Sequence, residues 1–341
     1  MELTNKKILI LSFSNKGALL SKKIEEILKE ANTHNYTYYK YADNNNLKSF
    51  VKIKELINEV FQTFDFIIFI GAVGIAVREI APNLKNKMVD PGVIVIDELA
   101  NFTIPILSGH IGQANLLSRF IADKINSTLV ITTATDINNR FSIDEWASVN
   151  NMKISNMNKF KELASLILNE DIGFKTDFSY DTLPNGLNVN KDNGIYVTYH
   201  NESNDLRIIP KVLHLGIGCK KGTSFDTIDK TIKEVFKDNN LNIDSIKDIN
   251  SIDLKKDEEG IIKLANKLNI PFNTYSKDEL NKLDGEYSYS EFVYNTVGVD
   301  CVCERSAMIN STKGLILRKK ALNGITISVG IDDYKLSFNY R

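Results

Sequence analysis

Apolar runs of strand length alternate with amphipathic helical stretches from the first residues of the chain, and glycine sits at several of the joints. That alternation restricts the fold more than any other feature. "KKILILSF" reads as a buried strand, after which Leu20, Ile24, Ile27, Leu28 and Ala31 share one helical face. "LKSFVKIKELINEVF" is a second amphipathic helix, "FDFIIFIG" a strand, and "VGIAVREIA" a helix starting directly after it. "GVIVIDE", "IGQANLLSRFIADKI" and "STLVITTATD" continue as strand, helix and strand. Strands joined through helices run parallel and need cover on both faces. Residues 1–136 are therefore expected to form an open, mostly parallel α/β sheet with helices on both faces.

Residues 137–210 carry weaker signals and are expected to form a small connecting domain. "IDEWASVNNM" and "FKELASLILNEDIGF" look helical, "NGIYVTYH" looks like a strand, and "HNESNDLRIIP" reads as a polar linker or turn. The alternation restarts at "KVLHLGIGCKKGTSFDTIDKTIKEVF", so residues 211–341 are expected to be a second α/β domain. Near its end, Asn323-Gly324 between two strand-like runs is a hairpin signal, because a type I′ turn needs positive φ at both central residues.

Composition narrows the function. The 341 residues suffice for two or three cores, and a net charge of −1 supplies no general field for nucleic acid. No apolar run approaches the roughly 20 residues that span a bilayer. Three cysteines, an odd and sparse count, fit a reducing cytoplasm rather than a disulfide framework.

Five stretches hold residues of chemical interest. In "FIGAVGIAVREIAP", Gly71 and Gly74 flank a strand-to-helix turn with Arg78 one turn on; this is either a packing turn or an anion cradle. The spacing is not that of a dinucleotide fingerprint. In "DPGVIVIDELANFTIPILSGHIGQAN", Asp97 and Glu98 end a strand, and Ser108, Gly109, His110 and Gly112 precede a helix carrying Asn115 and Arg119. The two carboxylates and the histidine are expected to converge with bare helix N-termini at one edge of the sheet, where a histidine serves as general acid or base. Nothing there has the spacing of a metal site. In "TTATDINNRFSIDEWA", Thr135 and Asp136 end another strand on that edge, while Ser142 and Glu145 have capping-box spacing. In "LGIGCKKGTSFD", Gly218, Lys220, Lys221, Gly222 and Thr223 could cradle a carboxylate or phosphate; Cys219 has no acid–base partner placed by sequence. In "TVGVDCVCERSAMI", Asp300 reads as an N-cap with Glu304 and Arg305 on the first turns, and the Cys301/Cys303 pair receives no role.

"GAVGIAVREIAPNLKNKMVDPGVIVIDE", "IPILSGHIGQANLLSRFIA" and "TATDINNRFSIDEWA", in that order, resemble the CbiG family of cobalamin biosynthesis, the cobalt-precorrin-5A hydrolases. "LGIGCKKGTS" and "GVDCVCERSAMI" resemble that family's C-terminal domain, itself similar to the CobE family. The resemblance spans nearly the whole chain. It implies opening of the δ-lactone of a cobalt-corrinoid intermediate with water and release of acetaldehyde, giving cobalt-precorrin-5B. His110, Glu98 or Asp97 would then be the base, and N–H groups after Gly71 or Ser108 the oxyanion donors. Arg78, Arg119, Lys220, Lys221 and Arg305 would pair with the substrate's carboxylate arms. Cobalt would arrive with the substrate, so neither a protein metal site nor a cofactor is expected. The partners implied are the small-molecule cobalt-corrinoid, a transient contact with neighbouring pathway enzymes and a second copy in a homodimer, with no nucleic acid or membrane. The N- and C-terminal glycine loops are expected to face one crevice. The alternative is a non-catalytic carrier of a cobalt-tetrapyrrole intermediate.

Overall fold

The computed structural model describes residues 3–201, 203 and 205–339. The N-terminal sheet holds β1 (Lys7–Ser12), β2 (Asn32–Tyr38), β3 (Lys48–Phe50), β4 (Phe66–Ile70), β5 (Gly92–Ile96), β6 (Phe102–Leu107) and β7 (Thr128–Leu129). Their spatial order is β3-β2-β1-β4-β5-β6-β7, and every neighbouring pair is parallel except β5 and β6. Alternate residues of β1, β4 and β5 point to opposite faces, which sorts the core into two layers. Ile8, Ile10, Ile68 and Ile94 pack under α1 (Asn15–Ile27) and α5 (Ala114–Ile125). Leu9, Leu11, Phe69 and Val95 pack on the other face, with Ile57 of α3 (Ile53–Val60) and Ala76 of α4 (Val73–Ile80). The short α2 (Ala42–Asn45) lies between β2 and β3 in the chain.

β2 and β6 are strands that sequence periodicity did not indicate, and β3 occupies residues expected to start the second helix. β6 contains Pro105, which cannot donate to a ladder and is tolerated only at edges and bulges. Here Pro105 sits opposite Ile94 at a register shift, and β7 reaches only Phe102 and Thr103 on the other side. β6 runs back along β5, and this reversal decides where the later loops go.

Thr135 and Asp136, expected to end a strand, lie instead in the short α6 (Ala134–Ile137), which leads into the middle unit with its α7 (Ile143–Val149) and α8 (Met157–Leu166). The middle unit also includes β8 (Lys153–Ile154), β9 (Ile172–Thr176), β10 (Ser179–Tyr180), β11 (Leu187–Asn188), β12 (Gly194–Val197) and β13 (Leu206–Ile209). Five of these strands pair in the order β11-β9-β12-β13-β8. The stretch read as a polar linker thus ends in a buried strand, β13.

The C-terminal sheet has the order β16-β15-β14-β18-β17, from β14 (Leu213–Cys219), β15 (Ile246–Ile252), β16 (Phe272–Tyr275), β17 (Gly314–Leu322) and β18 (Ile325–Ile331). One face packs on α9 (Phe225–Asp238) and α10 (Glu259–Leu268), through Ile228, Ile232, Ile261 and Leu264. After α11 (Lys277–Asn281) and α12 (Glu291–Val297), α13 (Val302–Met308) covers the other face. It lies so close that a Cβ on Gly216 would sit 1.9 Å from the Cys303 carbonyl oxygen. Asn323 and Gly324 take φ of 54° and 76°, the turn their sequence called for.

The tail does not stay with this unit. β19 (Lys335–Leu336) pairs with β10, Leu336 is buried in the middle core, and Phe338 stacks on Trp146 at 5.0 Å. The expected 211–341 unit therefore gives its last residues to the middle one.

Candidate functional site

The reversal at β5–β6 separates residues that were expected to converge. Asp97 and Glu98 follow the C-terminal end of β5, but β6 carries the chain back, so Ser108 to Gly112 lie beside Gly92 at the other end of that strand. Five residues at ~3.3 Å each put about 16 Å between the two edges.

At the first edge, Gly71 donates its N–H to the Ile96 carbonyl at 2.8 Å, while Gly74 and Arg78 are exposed on α4. Asp97 is occupied by its own turn. It accepts from Leu99 N (3.0 Å), Asn101 Nδ2 (3.1 Å) and Phe102 N (2.6 Å), so it shapes the β5–β6 hairpin. Glu98 accepts from Ser14 Oγ, the residue that caps α1. Asp97, expected as a candidate base, thus has both carboxylate oxygens engaged by three donors of its own turn.

At the second edge the loop supports itself. A Cβ on Gly109 would lie 2.6 Å from Asn115 Oδ1, and one on Gly112 would lie 2.5 Å from Ser108 Cβ, so both glycines permit close packing. Ser108 Oγ donates to the Asp90 carbonyl. The helix N-terminus behind this loop is not bare, contrary to expectation. The N–H groups of Gln113, Ala114 and Asn115 reach the carbonyls of His110, Ser108 and Gly109 at 2.9, 3.3 and 3.0 Å.

His110 lies between two units of the chain. Its Nε2 is 3.1 Å from Asp136 Oδ2 and 3.4 Å from Thr135 Oγ1; its Nδ1 is 3.1 Å from Asp144 Oδ1 and 3.0 Å from Ser142 Oγ. Asp136 is gripped further by Asn115 Nδ2 (3.1 Å) and Arg119 NH2 (2.8 Å). Burial opposes the imidazolium, but the hydrogen bonds to Asp136 and Asp144, with the charges of Asp144 and Glu145, outweigh it and raise the His110 pKa to about 9. The Asp144 carboxyl is correspondingly held below its ordinary range: burial opposes this, and His110 overcomes it. At neutral pH the histidine is a cation clamped by carboxylates, which suits a proton donor and not a base. Ser142 is drawn into this knot and makes no capping bond to α7, so the expected capping box with Glu145 does not form.

His110, Asp136 and Glu145 each bring a possible ligand atom to within 4.8 Å of the others, a grouping that could hold a divalent cation only with the imidazole deprotonated. Sequence spacing concealed this, because the three come from separate elements. Asp144 went unnoticed for the same reason. Beside the knot, Lys87, Asp90, Gly112, Gln113 and Ser148 help line a polar cleft of about 440 Å³.

The C-terminal residues divide in two. Arg305 chelates Asp300 through Nε (2.5 Å) and NH2 (2.8 Å), donates NH1 to the carbonyls of Leu280 and Leu283, and lies 4.3 Å over the Tyr287 ring. Fully buried Glu304 accepts from Ser288 N (2.7 Å), Ser288 Oγ (2.9 Å) and Lys319 N (2.8 Å). Both are therefore framework and not substrate ligands, a correction to their expected role, and Asp300 binds Arg305 while Cys301 takes the cap position. By contrast, Gly218, Lys220, Lys221, Gly222 and Thr223 line a second cleft of about 1240 Å³. Even here the backbone is partly taken: Gly222 N donates to Glu258 Oε1 at 2.6 Å, and Thr223 Oγ1 to the Lys220 carbonyl at 2.7 Å. Every residue lining this cleft falls between Gly218 and Thr326, so the N-terminal glycine loop does not share it.

The family described as "Cobalamin synthesis G N-terminal" matches residues 55–136, and "Cobalamin synthesis G C-terminus" matches residues 213–330. A cobalt-precorrin-5A hydrolase of Salmonella typhimurium is 31% identical, with 80% of this chain and 84% of that protein aligned. Another, from Priestia megaterium, is 29% identical over 95% of each chain. The crystal structure of a cobalamin biosynthesis protein G homolog from Sulfolobus solfataricus is 28% identical, covering 97% of this chain and 98% of that one, at a TM-score of 0.44. Together the two α/β sheets and the matched spans define an α/β protein carrying both ends of the cobalamin synthesis G architecture. The chain belongs to the cobalamin synthesis G (CbiG) family, whose curated relatives are named cobalt-precorrin-5A hydrolase. Among the described residues no helix is long and apolar enough to cross a membrane.

Proposed function

We propose that this protein is a cobalt-precorrin-5A hydrolase. The observation that carries the reading is the 31% identity to a curated hydrolase over 80% of the chain. Water adds to the carbonyl carbon of the substrate's δ-lactone, the ring C–O bond breaks, and a carboxylate and a free hydroxyl result. The hydroxyl then gives its proton to His110, left neutral by the first step, its carbon becomes a carbonyl as the C–C bond to the macrocycle breaks, and the two-carbon unit leaves as acetaldehyde. The electron pair stays on the ring carbon, which takes up a proton, and cobalt-precorrin-5B results.

Both steps need a proton delivered, to the departing alkoxide and then to the ring carbon. His110, protonated at neutral pH and oriented at both nitrogens, is the donor in this reading. Cobalt comes with the substrate, and no resident cofactor is required. A cytoplasmic location, a homodimer and transient contact with neighbouring pathway enzymes accompany the reading.

The test is an anaerobic assay on cobalt-precorrin-5A with acetaldehyde trapped, run on wild type, His110→Ala and Glu98→Gln. Acetaldehyde from wild type, and at least about 100-fold less from His110→Ala, supports the reading. Bound pigment without acetaldehyde from wild type would overturn it.

A further inference from the structure

Two thiols far from the His110 knot in the chain lie against each other. Cys301 and Cys303 flank Val302 at the first turn of α13, with their sulfurs 3.7 Å apart. Both are free and buried, and both line the cleft of about 1240 Å³. The third cysteine stands apart. Cys219 shares a face of β14 with Leu215 and Ile217, towards α9 and α10, whereas Cys303 is on the α13 side, where its carbonyl meets Gly216. The arrangement is therefore a pair.

The pair is placed to become a bond. A disulfide needs sulfurs about 2.05 Å apart on Cα atoms within roughly 7 Å of each other. Two residues of chain span at most about 7 Å even when fully extended. The helical turn entered at Val302 shortens that span, so side-chain rotation brings the sulfurs together. The two thiols are also unequal. A hydrogen bond from the Cys303 thiol holds the Cys301 thiol below its ordinary range, against burial. The same contact, with burial, pushes the Cys303 thiol up. One sulfur is thus the readier thiolate, and the other keeps its proton until a partner sulfur is activated.

We propose that Cys301 and Cys303 form a redox couple that reduces a small peroxide and closes to an intramolecular disulfide. The Cys301 thiolate attacks one peroxide oxygen. An S–O bond forms, the O–O bond breaks, and the departing hydroxide takes a proton and leaves as water. Cys301 is then a sulfenic acid. Cys303 loses its proton and attacks the Cys301 sulfur. The S–S bond forms, the S–O bond breaks, and the hydroxide leaves with that proton as a second water. Two electrons pass from the thiols to the peroxide. A small oxidant is implied because Cys301 and Cys303 are only 2% and 1% exposed. The proposal does not depend on the hydrolase reading.

The experiment treats the full-length Cys219→Ser protein, in which only the pair remains, with hydrogen peroxide. Free thiols are then counted with dithionitrobenzoate in urea, and the intact mass is measured. The expected result is loss of both thiols, a mass lower by two hydrogens with no oxygen added, and full recovery with dithiothreitol. Persistence of both thiols, addition of oxygen in place of hydrogen loss, or disulfide-linked dimers on a non-reducing gel would each overturn the proposal. This readout leaves the buried pair unaltered, so it does not rely on a core variant folding. Cys303→Ser in the same background is expected to stop at a sulfenic acid that dimedone traps. Cys301→Ser is expected to consume peroxide at least about tenfold more slowly than Cys303→Ser. The reverse order would overturn the assignment of Cys301 as the attacking thiol.

Discussion

Replacing His110 by Gln keeps a hydrogen-bonding side chain of similar reach but removes the charge. The folded imidazole has its pKa raised from 6.5 to about 9, against burial, by Asp136 and Asp144. A tenfold gain in proton affinity is worth about 1.4 kcal/mol, so the ion contributes roughly 3 kcal/mol of stability. The depressed Asp144 carboxyl reports the same contact and is not added. Because the folded pKa lies above the unfolded one, this stability is fully present below pH 6.5 and is lost as pH rises through about 9. The difference in unfolding free energy between wild type and His110→Gln should therefore be about 3 kcal/mol at pH 6 and shrink by most of that at pH 10. Urea unfolding at both values measures it, and titrations shared by the two proteins cancel. NMR of the four imidazoles, with one set of signals missing in the variant, reads the His110 pKa directly. A His110 titration near 6.5, or a gap equal at both pH values, would refute the clamped cation and the proton-donor role built on it.

The Glu304→Gln amide replaces a carboxylate that accepts three hydrogen bonds in a fully buried position, and should cost about 2–3 kcal/mol by urea unfolding at pH 7. Despite burial, those bonds hold the Glu304 carboxyl below its ordinary 4.5, so its contribution is present above that value and fades as pH falls below it. Gly216→Ala, whose new methyl would meet the Cys303 carbonyl at 1.9 Å, should force α13 off the sheet and lower the melting temperature; an unchanged calorimetric transition would show the spacing to be soft. Truncation after Tyr334 removes β19 and Phe338 and should expose Trp146, the single tryptophan, as a red shift in its fluorescence. An unshifted spectrum would mean the tail is not part of the middle core.

The strands and helices that bury alternating or 3.6-spaced apolar faces were legible, because local sequence and tertiary burial agree there. The Asn323-Gly324 turn was legible for a stricter reason, since few other pairs accept positive φ twice. β6 was hidden by Pro105, whose cost is avoided only because a register shift and a short neighbour leave its nitrogen without a ladder partner. Ser142 and Glu145 had the spacing of a capping box, yet His110 and Asp144, from outside that local window, compete for the hydroxyl. The tail looked like part of the last domain because sequence adjacency was the sole guide, whereas Trp146 and Phe174 supply its partners 160 residues or more away.

The same long-range logic governs the site. In an all-parallel sheet, loops following successive strands gather at one edge, and Asp97, Glu98 and His110 would then have met. One antiparallel strand breaks that rule for everything after it. β6 and β7 end where β5 begins, so the loop with His110 and the turn with Asp136 face α7 rather than the glycine turn at Gly71. Asp144 and Glu145, two of the acidic groups around His110, consequently come from the middle unit. The protonated histidine joins two cores before it can serve any chemistry. The protonation state of His110 therefore depends on the seating of α7, whose Asp144 and Glu145, with Ser142 just before it, orient and charge the imidazole. The middle unit, which carries the fewest sequence signals, thus sets the state of the most reactive group that the sequence did reveal.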